Sequence, residues 1–196
     1  GAAARAIKTM GFSSLRLVNT KAHLDEKAGW VAHASQEILE KAETFRSLNE
    51  AIKDIDWVIG TSAKKRRVNE DYYPSNKLNE LIKAKANSIR NLAIVFGREE
   101  SGLTNEELKL CDIISSVPMK TTYPSLNLAQ SVMIYAYTLS MLSFDKKEMP
   151  DQKTDQAELI TLKNKTQNLL DAIGFKNDSA IYNRIMERLM ILGKTD

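Results

Sequence analysis

Three short segments carry the residue types from which a ligand site is built: Gly60-Thr61-Ser62-Ala63, Gly97-Arg98-Glu99, and Val117-Pro118-Met119 running on to Pro124-Ser125-Leu126-Asn127. The first two follow apolar runs that read as buried strands, Trp57 to Ile59 and Leu92 to Phe96, and the third follows a strand at Ile113 to Val117. In a parallel sheet the loops at the carboxyl ends of the strands share one rim, so the three segments can face one ligand. Gly97 would permit close approach. No GxGxxG pattern occurs, which disfavours a dinucleotide-dependent oxidoreductase. Taken singly, each segment has a plainer reading. Pro124 to Asn127 ahead of a helix is good capping chemistry, and Arg98-Glu99 could be a solvated ion pair.

The elements that would position these loops alternate along the chain. Ala2 onward reads as a helix closed by Gly11, Leu15 to Val18 as a strand, and Gln36 to Ala42 as a helix. Further helices are expected around Lys77 to Ala86, at Asn105 to Leu110 behind the capping pair Thr104 and Glu107, and from about Leu126 to Leu142. The alternation argues an α/β fold, a parallel sheet with helices on both faces. The last of these helices is apolar on more than one face, which suits burial within its subunit and against another. A polar stretch with Pro150 then separates a domain over residues 1–145 from a C-terminal helical extension over 159–196, with 146–158 as the linker. The extension repeats Leu159, Leu162, Leu169, Leu170 and Ile173, then Ile181, Ile185, Leu189 and Leu192, at helical spacing.

Composition narrows the partners. A net charge of +3 is too mild to identify a nucleic-acid partner by itself, and the charge clusters once, at Lys64-Lys65-Arg66-Arg67. With Tyr72 and Tyr73 close behind, that cluster suits RNA: cations for phosphates and rings for an unstacked base. Two histidines and a single Cys111 give no zinc spacing, and no metal is expected. With no apolar run near 18 residues and no signal peptide, a membrane partner is not expected and a cytoplasmic location is. Trp30, Trp57 and the methionines are expected in the core or a dimer contact. The chain opens directly on its first helix, so either it is truncated or an N-terminal strand is absent from the numbered residues.

Taken together, GAAARA, VFGREESGLTNEEL and VPMKTTYPSLNLAQSV, in this order, resemble the three motifs of the SpoU branch of the SPOUT methyltransferases. The match runs over roughly residues 1 to 143, and within that branch the chain looks most like the bacterial enzymes that methylate the ribose of cytidine or uridine 32 in the tRNA anticodon loop. The resemblance implies a deep trefoil knot whose loops hold S-adenosyl-L-methionine, carried here by Thr61, Ser62, Ala63, Gly97, Val117, Pro124, Ser125 and Leu126. It implies Arg5 as the central catalytic residue, with Glu99, Ser125 and Asn127 orienting it and the ribose. Lys64, Arg66, Arg67 and Arg98 would bind RNA, tRNA or alternatively rRNA, and an obligate homodimer would place the active site at the subunit interface. A catalytically inactive RNA-binding homologue is the reading from another class. The family's first motif carries an Asn just before the glycine that is here Gly1, so substrate positioning by that residue is not assigned.

Overall fold

The computed structural model describes residues 1–63, 72–85, 89–120, 126–142, 156–175, 179, 181–183, 185–186 and 189. The chain forms two compact units, Gly1–Asp145 and Lys146–Asp196. The first begins with α1 (Ala2–Thr9), then β1 (Arg16–Val18), α2 (Glu26–Ala32), α3 (Gln36–Glu40), β2 (Glu43–Phe45) and α4 (Leu48–Ala51). It continues through β3 (Trp57–Thr61), β4 (Tyr72–Pro74), α5 (Leu78–Lys85), β5 (Leu92–Val95), α6 (Asn105–Lys109), β6 (Ile113–Ser116) and α7 (Leu128–Ser140).

Four of the strands make a parallel sheet in the order β4-β6-β3-β5. β3 lies inside it, and its side chains alternate between two cores, as the two-residue repeat of a strand requires. Trp57 and Ile59 pack with Leu78 and Ile82 of α5 and with Tyr135 and Leu139 of α7. Val58 packs on the other face with Leu48, Ile52 and Ile55, beside Ala93, Val95, Leu110 and Cys111. The expected sheet covered on both faces is therefore present.

Two of the expected assignments change. The strand at Arg16–Val18 pairs in parallel with Glu43–Phe45, a strand not expected from sequence, and the two form a separate sheet. Tyr72 and Tyr73 are not presented as free rings: they lie in the edge strand β4, half-buried. Tyr73 packs against the core under α5 and Tyr72 against Leu103, Leu108 and Ile114. Pro74 is tolerated there because an edge strand has one side that need not donate to a ladder. Trp57 is core, one of the two places expected, and Trp30 on α2 is 72% exposed.

α1 ends as its sequence suggests. Gly11 takes φ +84° and the Phe12 N–H donates to the carbonyl of Ile7 at 2.9 Å, so the left-handed residue turns the chain back over the last carbonyls. In the second unit α8 (Gln156–Ala172) ends the same way, with Gly174 at φ +84° and the Phe175 N–H on the carbonyl of Leu170 at 2.9 Å. Because α8 starts at Gln156, the end of the expected linker is already helical. No helix among the described residues is long and apolar enough to cross a membrane.

Candidate active site

Because β3, β5 and β6 run parallel as neighbours, their carboxyl ends emerge side by side, and side chains and backbone stitch them there. The Thr61 hydroxyl donates to the carbonyl of Val95 at 2.9 Å, tying β3 to β5. The Ser62 N–H donates to the carbonyl of Ser115 at 3.0 Å, tying β3 to β6. The loops that follow line one open cleft of about 260 Å³. That is near the small end of pockets that take a small-molecule ligand, which begin at about 300 Å³. Of the residues expected to hold a cofactor, Thr61, Ser62, Ala63, Gly97, Val117 and Leu126 line this cleft. Pro124 and Ser125 lie outside the described residues, as do Lys64, Arg66 and Arg67.

The loop after β5 is built differently from the reading above. The Gly102 N–H donates to the carbonyl of Arg98 at 2.8 Å and the Arg98 N–H to that of Gly102 at 3.2 Å, closing a tight turn with Gly102 at φ +70°. A β-carbon at Gly97 would lie 2.1 Å from the carbonyl carbon of Gly102 and 2.2 Å from the nitrogen of Leu103. Gly97 is therefore required by the loop's own backbone, not only by a ligand. Nor do Arg98 and Glu99 pair with each other. The Arg98 guanidinium donates through both terminal nitrogens to Glu107, at 3.0 and 3.1 Å. The carboxylate of Glu99 accepts from the Asn127 amide at 2.6 Å. Both terminal nitrogens of Arg98 thus donate within the chain.

The two helices that begin at the rim are capped as their sequences indicate. Thr104 and Glu107 form a reciprocal capping box at α6, and Asn127 and Gln130 form another at α7. Glu107 therefore serves the cap and the ion pair at once, accepting the Thr104 N–H at 2.7 Å. The Arg98 hydrogen bonds are the main reason that the Glu107 carboxyl sits below the usual carboxylate range, while partial burial works the other way. Arg98 is pushed upward by the same bonds.

Tyr135 also lines the cleft and was not expected as a site residue. Its hydroxyl donates to Ser115 Oγ at 3.0 Å inside the core, and its ring meets Phe96 edge to face at 5.5 Å. Burial raises its phenol to about 12, against a smaller opposing effect of the Ser115 hydrogen bond. The phenol consequently stays protonated at neutral pH and is not a base. Only its place on the apolar stripe of α7 hinted at it, and that stripe reads equally as ordinary core. Arg5 is exposed on α1, which packs along α7, and it is not among the residues lining the cleft of its own chain. Among the described residues, no group of three or more His, Cys, Asp or Glu side chains is placed to hold a metal.

Comparison with known proteins decides the family. The chain matches the SpoU rRNA methylase family over residues 1–137. It belongs to that family. The protein is 41% identical over 196 residues to a relative from Escherichia coli named uncharacterized tRNA/rRNA methyltransferase LasT, covering all of this chain and 86% of the relative. It is 36% identical over 158 residues to the tRNA (cytidine/uridine-2′-O-)-methyltransferase TrmJ of Photorhabdus laumondii, covering 81% of this chain and 65% of that protein. The crystal structure of TrmJ from Z. mobilis superposes with a TM-score of 0.65 at 29% identity, over 97% of this chain and 82% of the other. This SpoU family member thus carries the SPOUT methyltransferase fold. The knot that the resemblance implies is formed by the chain after the Pro124-Ser125-Leu126-Asn127 loop, and Pro124 and Ser125 lie outside the described residues.

Proposed function

We propose that the protein is an S-adenosylmethionine-dependent RNA 2′-O-ribose methyltransferase that acts on tRNA, at cytidine or uridine 32 of the anticodon loop. The observation that carries this reading is the convergence of the ends of β3, β5 and β6 on one cleft in a chain of this family. Similarity to relatives named as tRNA cytidine/uridine 2′-O-methyltransferases supports the substrate.

The donor set fits such a cofactor. Phe96, Val117 and Leu126 offer apolar walls for a flat ring, and Glu99 on the rim offers negative charge to a cationic ligand. Thr61, Ser62, Ala63, Gly97, Val117 and Leu126 would hold it, together with Pro124 and Ser125. When bound, S-adenosylmethionine supplies a methyl group on positively charged sulfur, already activated toward nucleophilic attack. What remains for the chain is to place the 2′-hydroxyl in line and help it lose its proton. Arg5 does this without acting as a base, since a guanidinium is always protonated: it grips the adjacent phosphate and stabilises charge developing on the ribose oxygen. The proton leaves to phosphate or water. Glu99 and Asn127, joined at 2.6 Å, orient the ribose with Ser125.

Since Arg5 stands apart from the cleft of its own chain, the reading includes a homodimer in which Arg5 of one subunit serves the cleft of the other. Lys64, Arg66 and Arg67 grip the tRNA backbone, and the enzyme works in the cytoplasm. The test is tritium transfer from labelled S-adenosylmethionine to total tRNA and rRNA, followed by mapping of the methylated nucleotide. Label is expected at ribose 32 of tRNA. Arg5→Ala should lower turnover by about 10²-fold or more while cofactor binding persists. Label confined to rRNA would move the substrate, and tRNA retention without transfer would assign an RNA-binding homologue that has lost catalysis.

A further inference from the structure

We propose that Arg98 and Glu107 form a clasp that fixes the loop after β5, and with it the shape of the cleft, so that both are positioning residues for the cofactor. This deepens the function proposed above and rests on it. The residues from Gly97 to Leu103 all line the cleft, so whatever holds this loop sets one of its walls.

The loop is fastened at its two ends by different means. Its far end is anchored by Leu103, buried among Leu108 and Ile114, and by the capping box that starts α6. Its near end has the backbone pair between Arg98 and Gly102, and beyond that turn the side chain of Arg98 reaches Glu107 on α6. The Glu107 carboxylate is the junction: it accepts two bonds from Arg98 and one from the Thr104 N–H, joining the turn to the helix start. A guanidinium meets a carboxylate through two parallel bonds, so the pair fixes orientation as well as distance. Its setting matches that task. The Glu107 side chain is 21% exposed and Arg98 61%, so the carboxylate is partly sheltered against the helix while the cation covers it from solvent.

The competing assignment for Arg98 is a direct contact with an RNA phosphate, and the two make opposite demands on Glu107. A phosphate contact has no need of that carboxylate, whereas a clasp fails equally when either partner is lost. Glu107→Gln separates them, because glutamine at this position can still complete the capping box while the charge is removed.

The experiment uses the whole chain and measures affinity for S-adenosylmethionine by calorimetry, KM and kcat for methyl transfer, and tRNA binding against salt. Glu107→Gln and Arg98→Met should each weaken cofactor affinity and raise the cofactor KM by roughly three- to tenfold, the scale of a partly exposed two-bond ion pair. kcat at saturating cofactor should stay within about twofold, and the double variant should be no worse than either single one, since both remove the same interaction. Arg98→Lys should recover only part of the loss. Melting temperatures are recorded alongside, and Arg98→Lys, which keeps the charge, serves as the readout should either neutral variant fail to fold. The proposal is overturned if Glu107→Gln binds cofactor like the unaltered protein. It is equally overturned if Arg98→Met instead weakens tRNA binding and shallows the slope of log affinity against log salt by about 0.7–0.9, the signature of one lost phosphate contact. If the unaltered protein does not bind the cofactor, the failure belongs to the functional reading and not to the clasp.

Discussion

The ends of β3 and β5 face the same cleft, and each has a glycine, yet the two glycines answer different constraints. At Gly97 a β-carbon would strike backbone, the Gly102 carbonyl carbon and the Leu103 nitrogen. At Gly60 it would strike a side chain, lying 2.7 Å from Cys111 Sγ and 3.1 Å from its β-carbon. Backbone held in a hydrogen-bonded turn cannot yield without opening the turn, whereas a side chain can be exchanged. The loop after β5 is therefore folded around its own glycine, and the end of β3 is shaped by what packs on it. One wall of the cleft is built in by local sequence; the other is set by neighbours.

The largest effect should come from Gly97→Ala. Because the turn from Arg98 to Gly102 would have to open, we expect destabilisation of about 3 kcal/mol or more, at the upper end of the overpacking range, together with loss of cofactor binding. Urea unfolding and calorimetry read both. A midpoint and affinity equal to those of the unaltered protein would show that the loop tolerates the extra carbon and that the contrast with Gly60 is unfounded.

Gly60→Ala should cost less, about 1–3 kcal/mol, since the clash is with a side chain in the packed face beside Val58 and Val95. Its sharper test is the background. In Cys111→Ala chains, where Sγ is gone but the β-carbon remains at 3.1 Å, the added cost of Gly60→Ala should fall without vanishing. Strict additivity of the two substitutions would remove Cys111 as the shaping neighbour.

What the sequence disclosed, and what it hid, follows the same division. Strands β3 and β5 were legible because each holds a run of apolar residues, and the start of α6 because a capping box is local chemistry read within four residues. β2 was not, since Glu43-Thr44-Phe45 has no apolar run and owes its pairing to β1. Tyr72 and Tyr73 looked like rings offered to RNA because nothing local says that an edge strand will tuck them against the sheet. Arg98 and Glu99 looked like a pair because they are adjacent in sequence. Arg98 opens the tight turn that Glu99 enters, and each found its partner elsewhere, Glu107 at the start of α6 and Asn127 at the head of α7. The cleft-lining positions Thr61, Ser62, Ala63, Gly97, Val117 and Leu126 came from motif resemblance, and parallel topology is what gathers them. Tyr135 escaped notice because a buried tyrosine on an apolar stripe carries no local mark of facing a cleft.

The smallest expected effect is a pH dependence that separates the two walls. Glu107 has its folded-state pKa lowered, chiefly by hydrogen bonds from Arg98, so its contribution to stability is present above its ordinary value of 4.5. That contribution is lost as pH falls through the lower folded-state value. The stability difference between the unaltered protein and Glu107→Gln should accordingly be flat from neutral pH down to about 5 and shrink only below 4.5. No such change is expected from the β3 side, where the stitches are made by the Thr61 hydroxyl and the Ser62 N–H, neither of which titrates. Thr61→Val, which removes one of them, should give a difference of about 1 kcal/mol that is independent of pH. Paired urea titrations of both variants between pH 3.5 and 7 make the measurement. If the Glu107→Gln difference stays constant through the acid range, or the Thr61→Val difference moves with it, the ionised clasp is not what holds the loop after β5.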